Sequence, residues 1–197
     1  MTEIRYSGDE LWNRIERAVE KVKDRLRRVV QALEGANVPY AIVGGNAVQL
    51  WVAQVDEAAV RNTKDVDIVL RRTDWEAAKT ALEAAGFVYR HTAKIDRFLD
   101  GPDAGTRDAV RVIFAGEKAL SEYQEPVPEI DQTLVFRGVR TLPLEGLATT
   151  ALSSYSLNDR VDLRDLMNAG LVDATWLDRV PPTLRDRLQA LLDDPDG

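Results

Sequence analysis

Apolar positions along the chain follow two rhythms. Between residues 9 and 34, Leu11, Ile15, Ala18, Val22, Leu26, Val29 and Leu33 recur every three or four residues, which predicts one apolar face of a long helix. Ser7-Gly8-Asp9-Glu10 has the form of a capping box in front of it, and Gly35 is placed to end it. Arg25, Arg27 and Arg28 are assigned to the outer face, balanced by Glu16, Glu20 and Asp24, and read as solvated. The rhythm then shortens. Tyr40-Ala41-Ile42-Val43 is a continuous apolar run, the pattern of a buried strand. Gly44-Gly45 turns the chain, and 46–55 places Ala47, Val48, Leu50, Trp51 and Val55 on one face of a second helix. After a polar loop, Asp65-Val66-Asp67-Ile68-Val69-Leu70 reads as a strand that opens on two carboxylates.

Beyond this stretch, Thr73-Asp74-Trp75-Glu76 predicts a capped helix to residue 85, ended by Gly86. Strands follow at 87–91 and 95–99, and a turn-rich 101–105 makes a hairpin with 109–114. Pro126-Val127-Pro128 marks an extended connector. Segments 134–136 and 139–142 form a hairpin around Arg137-Gly138. After Pro143 the spacing is helical, at 144–153, 159–168, 174–180 and 182–192, with Asp173 as a cap and Pro182 in a first turn. The expected fold is α/β (α+β): a small mixed sheet flanked by helices, with a helical C-terminal segment. The expected organisation is a helix at 1–35, a core at 36–142 and the helical segment at 143–197.

Composition narrows the chemistry. The 197 residues contain no cysteine, which excludes disulfides and thiol catalysis, and one histidine, which argues against a histidine-based metal cluster or catalytic triad. His91 reads as an ordinary strand residue. No apolar run reaches the roughly 20 residues of a membrane span, and no targeting peptide is evident, so a cytoplasmic location is expected. A net charge of −7 argues against a broad footprint on duplex DNA or anionic lipid.

The chemistry concentrates between residues 44 and 67. Orphan N–H groups at the start of the second helix make Gly44-Gly45 a seat for phosphate, with Asn46 either capping the helix or touching that phosphate. Asp65 and Asp67, two apart on a strand, share a face, and a hard cation such as Mg²⁺ or Mn²⁺ would relieve their repulsion. Arg61, Thr63 and Lys64 lie in the loop just before them, as partners for a triphosphate. No G-x-G-x-x-G occurs, which removes a Rossmann-type dinucleotide site from consideration.

Gly44-Gly45-Asn46-Ala47 followed by Arg61-Asn62-Thr63-Lys64-Asp65-Val66-Asp67 resembles the signature of polymerase-β-like nucleotidyltransferases. The R-x-T-x-D-x-D form is similar to that of the abortive-infection (type IV toxin) nucleotidyltransferases, as is Asn158-Asp159-Arg160-Val161-Asp162-Leu163 where those relatives carry K-D-x-x-D. The resemblance implies metal-dependent transfer of a nucleoside monophosphate from a nucleoside triphosphate to a hydroxyl of RNA, protein or a small molecule. It also implies an antitoxin partner or phage-defence setting.

The same resemblance implies a third carboxylate in mid-strand after the hairpin, where this chain has Arg111. Asp108 would serve as the third catalytic acid beside Asp65 and Asp67 only if a bulge or register shift turns it inward. Asp96 and Asp100 are further candidates. Two expectations therefore stand: an active transferase, or a nucleotidyltransferase-fold binding or regulatory module that has lost its third acid.

Overall fold

The computed structural model describes residues 5–92, 94–105 and 109–194. Asp108, the sequence candidate for the third acid, lies outside them. Seven strands form one mixed sheet in the order β3-β4-β5-β2-β1-β7-β6. They are β1 (Tyr40–Val43), β2 (Val66–Leu70), β3 (Val88–Thr92), β4 (Ile95–Leu99), β5 (Ala109–Phe114), β6 (Leu134–Phe136) and β7 (Val139–Thr141). The helices are α1 (Gly8–Gly35), α2 (Gly44–Val52), α3 (Trp75–Ala84), α4 (Leu144–Ser154), α5 (Leu157–Asn168) and α6 (Arg185–Asp193). No described helix is long and apolar enough to cross a membrane.

Strand pairing follows from burial. β1, β2 and β5 are almost continuously apolar and occupy the middle of the sheet, where both faces are covered. β1 runs antiparallel to β2, and β2 runs parallel to β5. The sequence hairpin around Arg137-Gly138 is present, with both residues at positive φ, and β7 docks parallel to β1 through Ile42 and Thr141. The Thr141 hydroxyl adds a 3.0 Å hydrogen bond to the Ile42 carbonyl. One helical group, α1 with α3, and a second, α2 with α4 and α5, flank this sheet.

Several local expectations give way to packing. Ser7 makes no side-chain cap bond, and the first half of α1 extends past the core, leaving Leu11, Trp12 and Ile15 exposed. Arg25 is 1% exposed instead of solvated. It sits three residues after Val22 and four before Val29, inside the apolar stripe, and its charge is met by Asp100. α2 ends at Val52, so Val55 lies beyond it and is exposed. α3 starts behind a 3₁₀ turn over Arg72–Asp74 without a side-chain cap. The segment Ala174–Asp178 is 3₁₀, capped by Asp173 as expected.

The approach to α5 is set by α4. Tyr155 ends α4 in the left-handed conformation (φ 55°), and Arg187 of α6 donates to the Leu152 and Ser153 carbonyls at 2.7 and 2.6 Å. Ser156 then caps α5 in a reciprocal box with Asp159. This sharp reversal brings the start of α5 to the cleft at the start of β2.

Candidate active-site cleft

A cleft of about 490 Å³ opens where β2, β4 and β5 meet the N-terminal ends of α2 and α5. Gly44, Gly45, Arg61, Thr63, Lys64, Asp65 and Asp67 all line it, so seven of the residues singled out in the sequence converge. Arg97, Arg111, Asn158, Asp159 and Asp162 complete its walls.

The acid pair sits at the mouth of β2. Asp67 is the second residue of the strand, and Asp65 immediately precedes it, exposed. Three buried or half-buried clamps fix the loop that delivers them. Asn46, 4% exposed, donates its side-chain amide to the Asp65 carbonyl at 2.6 Å. Arg25 donates to the Lys64 carbonyl at 3.0 Å, and Gln49 donates to the Arg61 carbonyl. Asn46 thus neither caps α2, whose cap is Val43, nor lines the cleft: its amide holds the strand entrance.

The glycine pair is filled from within. Gly44 has φ +63°, and a Cβ built there would stand 2.6 Å from Asp67 Oδ2. A Cβ on Gly45 would meet Thr63 Oγ1 at 2.8 Å. The glycines let the acid strand and its loop lie against the start of α2, and the space above the turn belongs to Asp67 and Thr63.

Arg111 is where the strand pattern placed it, and it reaches the acid pair. In the parallel β2–β5 ladder it stands directly beside Asp67, and its Nε donates to Asp67 Oδ1 at 2.7 Å. The Asp67 carboxylate raises the Arg111 pKa above its usual value, against the opposing effect of burial. Partial desolvation of its carboxyl in the cleft first, and then the Asp67 charge, push Asp65 up, while Arg111, Arg25 and Arg97 pull it back.

The other acids are committed elsewhere. Asp96 accepts from the Tyr89 hydroxyl at 2.7 Å and lies 2.8 Å from His91 Nδ1. Asp100 is held by Arg25 and Arg28. Among the described residues, no group of three His, Cys, Asp or Glu side chains is placed to hold a metal ion. With Oδ1 of Asp67 taken by a guanidinium and Oδ2 packed against Gly44, the described residues do not fit a two-cation centre.

Sequence reasoning missed the partners of Arg61, which come from α5. Asp165 accepts from its Nε at 2.8 Å, and Asp162 accepts from a terminal nitrogen. Asp162 is 5% exposed, and burial pushes its carboxyl up to about 7 despite the pull of Arg61. Arg97 was missed as well. The available signal was weak: Arg97 is the one cation of β4 but follows Asp96, so the strand is not a clean apolar run like that around Arg111 in β5.

No protein-family profile matches the chain, and no curated protein does. Solved structures do match. ANT(2″)-Ia in complex with adenylyl-2″-tobramycin is similar with a TM-score of 0.56 at 14% identity, over 84% of this chain and 97% of that one. JHP933 from Helicobacter pylori is similar with a TM-score of 0.50 at 16% identity, over 90% of this chain and 76% of that one. Another H. pylori structure, provisionally described as a nucleotidyltransferase, gives 0.51 at 17% identity, over 92% and 79%. At such identities the likeness is one of fold: the mixed sheet and flanking helices are those of the nucleotidyltransferase fold.

Proposed function

We propose that this nucleotidyltransferase-fold chain binds a nucleoside triphosphate in the cleft and acts as a binding or regulatory module, without two-metal nucleotidyl transfer. The observation that carries this reading is the 2.7 Å ion pair between Arg111 and Asp67. A guanidinium in the third acid's place competes with any cation for the pair and supplies its own positive charge there. Gly45, Thr63 and Lys64 would border the nucleotide, and Asn46 would hold the loop that carries Asp65.

A second reading, a Mg²⁺- or Mn²⁺-dependent transferase acting on RNA, protein or a small molecule, is favoured by one feature. Asp159 and Asp162 of α5 add two carboxylates to the lining of the same cleft. A toxin paired with an antitoxin belongs to this second reading.

The test combines binding with turnover. Each of the four ribonucleoside triphosphates is titrated by calorimetry, and α-labelled triphosphates are incubated with Mg²⁺ or Mn²⁺ and cell extract. The first reading expects binding with no labelled acceptor, and a ligand at 100 times its Kd adds about 2.7 kcal/mol of stability. Metal-dependent labelling that Asp108→Asn abolishes would establish the second reading instead.

A further inference from the structure

Arg97 and Arg111 face each other directly across the antiparallel β4–β5 ladder, and both line the cleft. Like charges at directly opposed positions of a sheet repel and destabilise it. The row runs Arg90, Arg97, Arg111, Asp67 and Val43, with Arg90 exposed at its outer end, so three cations stand in line with one carboxylate. Among the described residues, Arg111 spends one donor, Nε, on Asp67, and Arg97 makes one long contact of 3.4 Å to Thr92 Oγ1. Each guanidinium carries five N–H donors, so most of the two forks is unspent beside the cleft. Planar forks of this kind bind phosphate oxygens in bidentate fashion.

We infer that Arg97 and Arg111 together form a metal-independent seat for the phosphate chain of the bound nucleotide, an inference that rests on the nucleotide reading above. Asp65 and Asp67 would repel an incoming triphosphate if left alone. Here Arg111 is bonded to Asp67, and Asp65 lies in the combined field of Arg111, Arg25 and Arg97. The arginines do the electrostatic work that a divalent cation does between phosphates and carboxylates. Lys64, exposed on the same cleft, adds a mobile charge. The phosphate chain lies over the β4–β5 end of the sheet, since the space above Gly44 and Gly45 is filled by Asp67 and Thr63.

The experiment is calorimetric titration of ATP and of inorganic triphosphate, each in EDTA and in excess Mg²⁺. Wild type should bind both ligands in EDTA within about threefold of the affinity in Mg²⁺. Arg97→Gln should weaken both at least tenfold, and Asp67→Asn, which releases Arg111, should tighten both. Arg97→Lys should recover part of the loss, which separates a charge effect from a folding defect; thermal melts of each variant check the fold. Binding that appears only with Mg²⁺, or that survives Arg97→Gln unchanged, overturns the seat. If ATP still binds in those cases, the nucleotide reading stands alone. If inorganic triphosphate behaves as expected and no nucleotide binds, the seat stands and the nucleotide reading falls. Absence of binding by inorganic triphosphate and by all four ribonucleoside triphosphates refutes both.

Discussion

Arg25 of α1 donates from Nη1 to the backbone carbonyl of Lys64 at 3.0 Å and from Nε to Asp100 at 3.1 Å. One buried side chain thereby ties the long N-terminal helix, the loop before the acid pair and the end of β4 into a single unit. Replacing it by methionine keeps much of the volume but orphans the carbonyl and leaves a half-buried carboxylate with Arg28 alone. Breaking a buried pair of this type costs about 3 kcal/mol. Urea unfolding should show that loss for Arg25→Met, and Arg27→Met, on the exposed face, should leave the midpoint within experimental scatter.

The glycine pair gives a second prediction, because its two members are needed for different reasons. Gly44→Ala forces an alanine to φ +63° and drives its methyl into Asp67, so both strain and clash act. Gly45→Ala has only the clash with Thr63. Adding Thr63→Gly should therefore rescue most of the stability lost in Gly45→Ala. Adding Asp67→Gly should rescue Gly44→Ala only in part, leaving about 1 kcal/mol of backbone strain. Equal rescue at both positions in a thermal melt would contradict the geometry.

A third prediction follows from Asp162. Its folded pKa, about 7, lies above the ordinary aspartate value, so between roughly pH 4 and 7 the folded protein holds a proton that the unfolded chain has lost. Stability from this group is fully present below pH 4 and declines as pH rises through 7. Asp162→Asn removes that titration. Unfolding free energies measured from pH 4 to 8 should slope downward for wild type more steeply than for the variant.

Arg111→Asp should convert the cleft. Three carboxylates would then converge on the mouth of β2, where described residues of the wild type offer two and a guanidinium. Mn²⁺ alone should raise the melting temperature of this variant in a dose-dependent way, with a much smaller effect on wild type. An identical response of the two proteins would show that Arg111 does not keep a cation out.

Much of the site was legible because its determinants are local. The apolar run of β1, the glycine turn, the face of α2 and the two carboxylates of β2 follow one another within thirty residues, and each is set by its own backbone geometry. Arg111 was legible for the same reason, as a polar centre in an apolar strand. Other features depend on distant partners. Arg61 finds Asp162 and Asp165 on α5, and Arg111 meets Asp67 through a parallel pairing that no local pattern announces. Periodicity identifies the apolar face of α1 but not what covers it, and at Leu11 and Ile15 that face extends beyond the core and is exposed. Arg25 is the instructive miss: its place in the stripe was readable, yet its charge favoured the solvated reading.

The docking of β7 onto β1 also shapes how the chain is born. Until Thr141 has emerged, β1 has β2 on one side and nothing on the other, and its Tyr-Ala-Ile-Val edge can pair with any extended chain nearby. At ordinary rates of synthesis the interval from Leu70 to Thr141 lasts about four to fourteen seconds. Refolding from denaturant has no such interval, but the joint still waits on contacts remote in sequence. A nascent chain halted before the hairpin exposes the edge of a wholly apolar strand, so β6 and β7 serve as its closing seal.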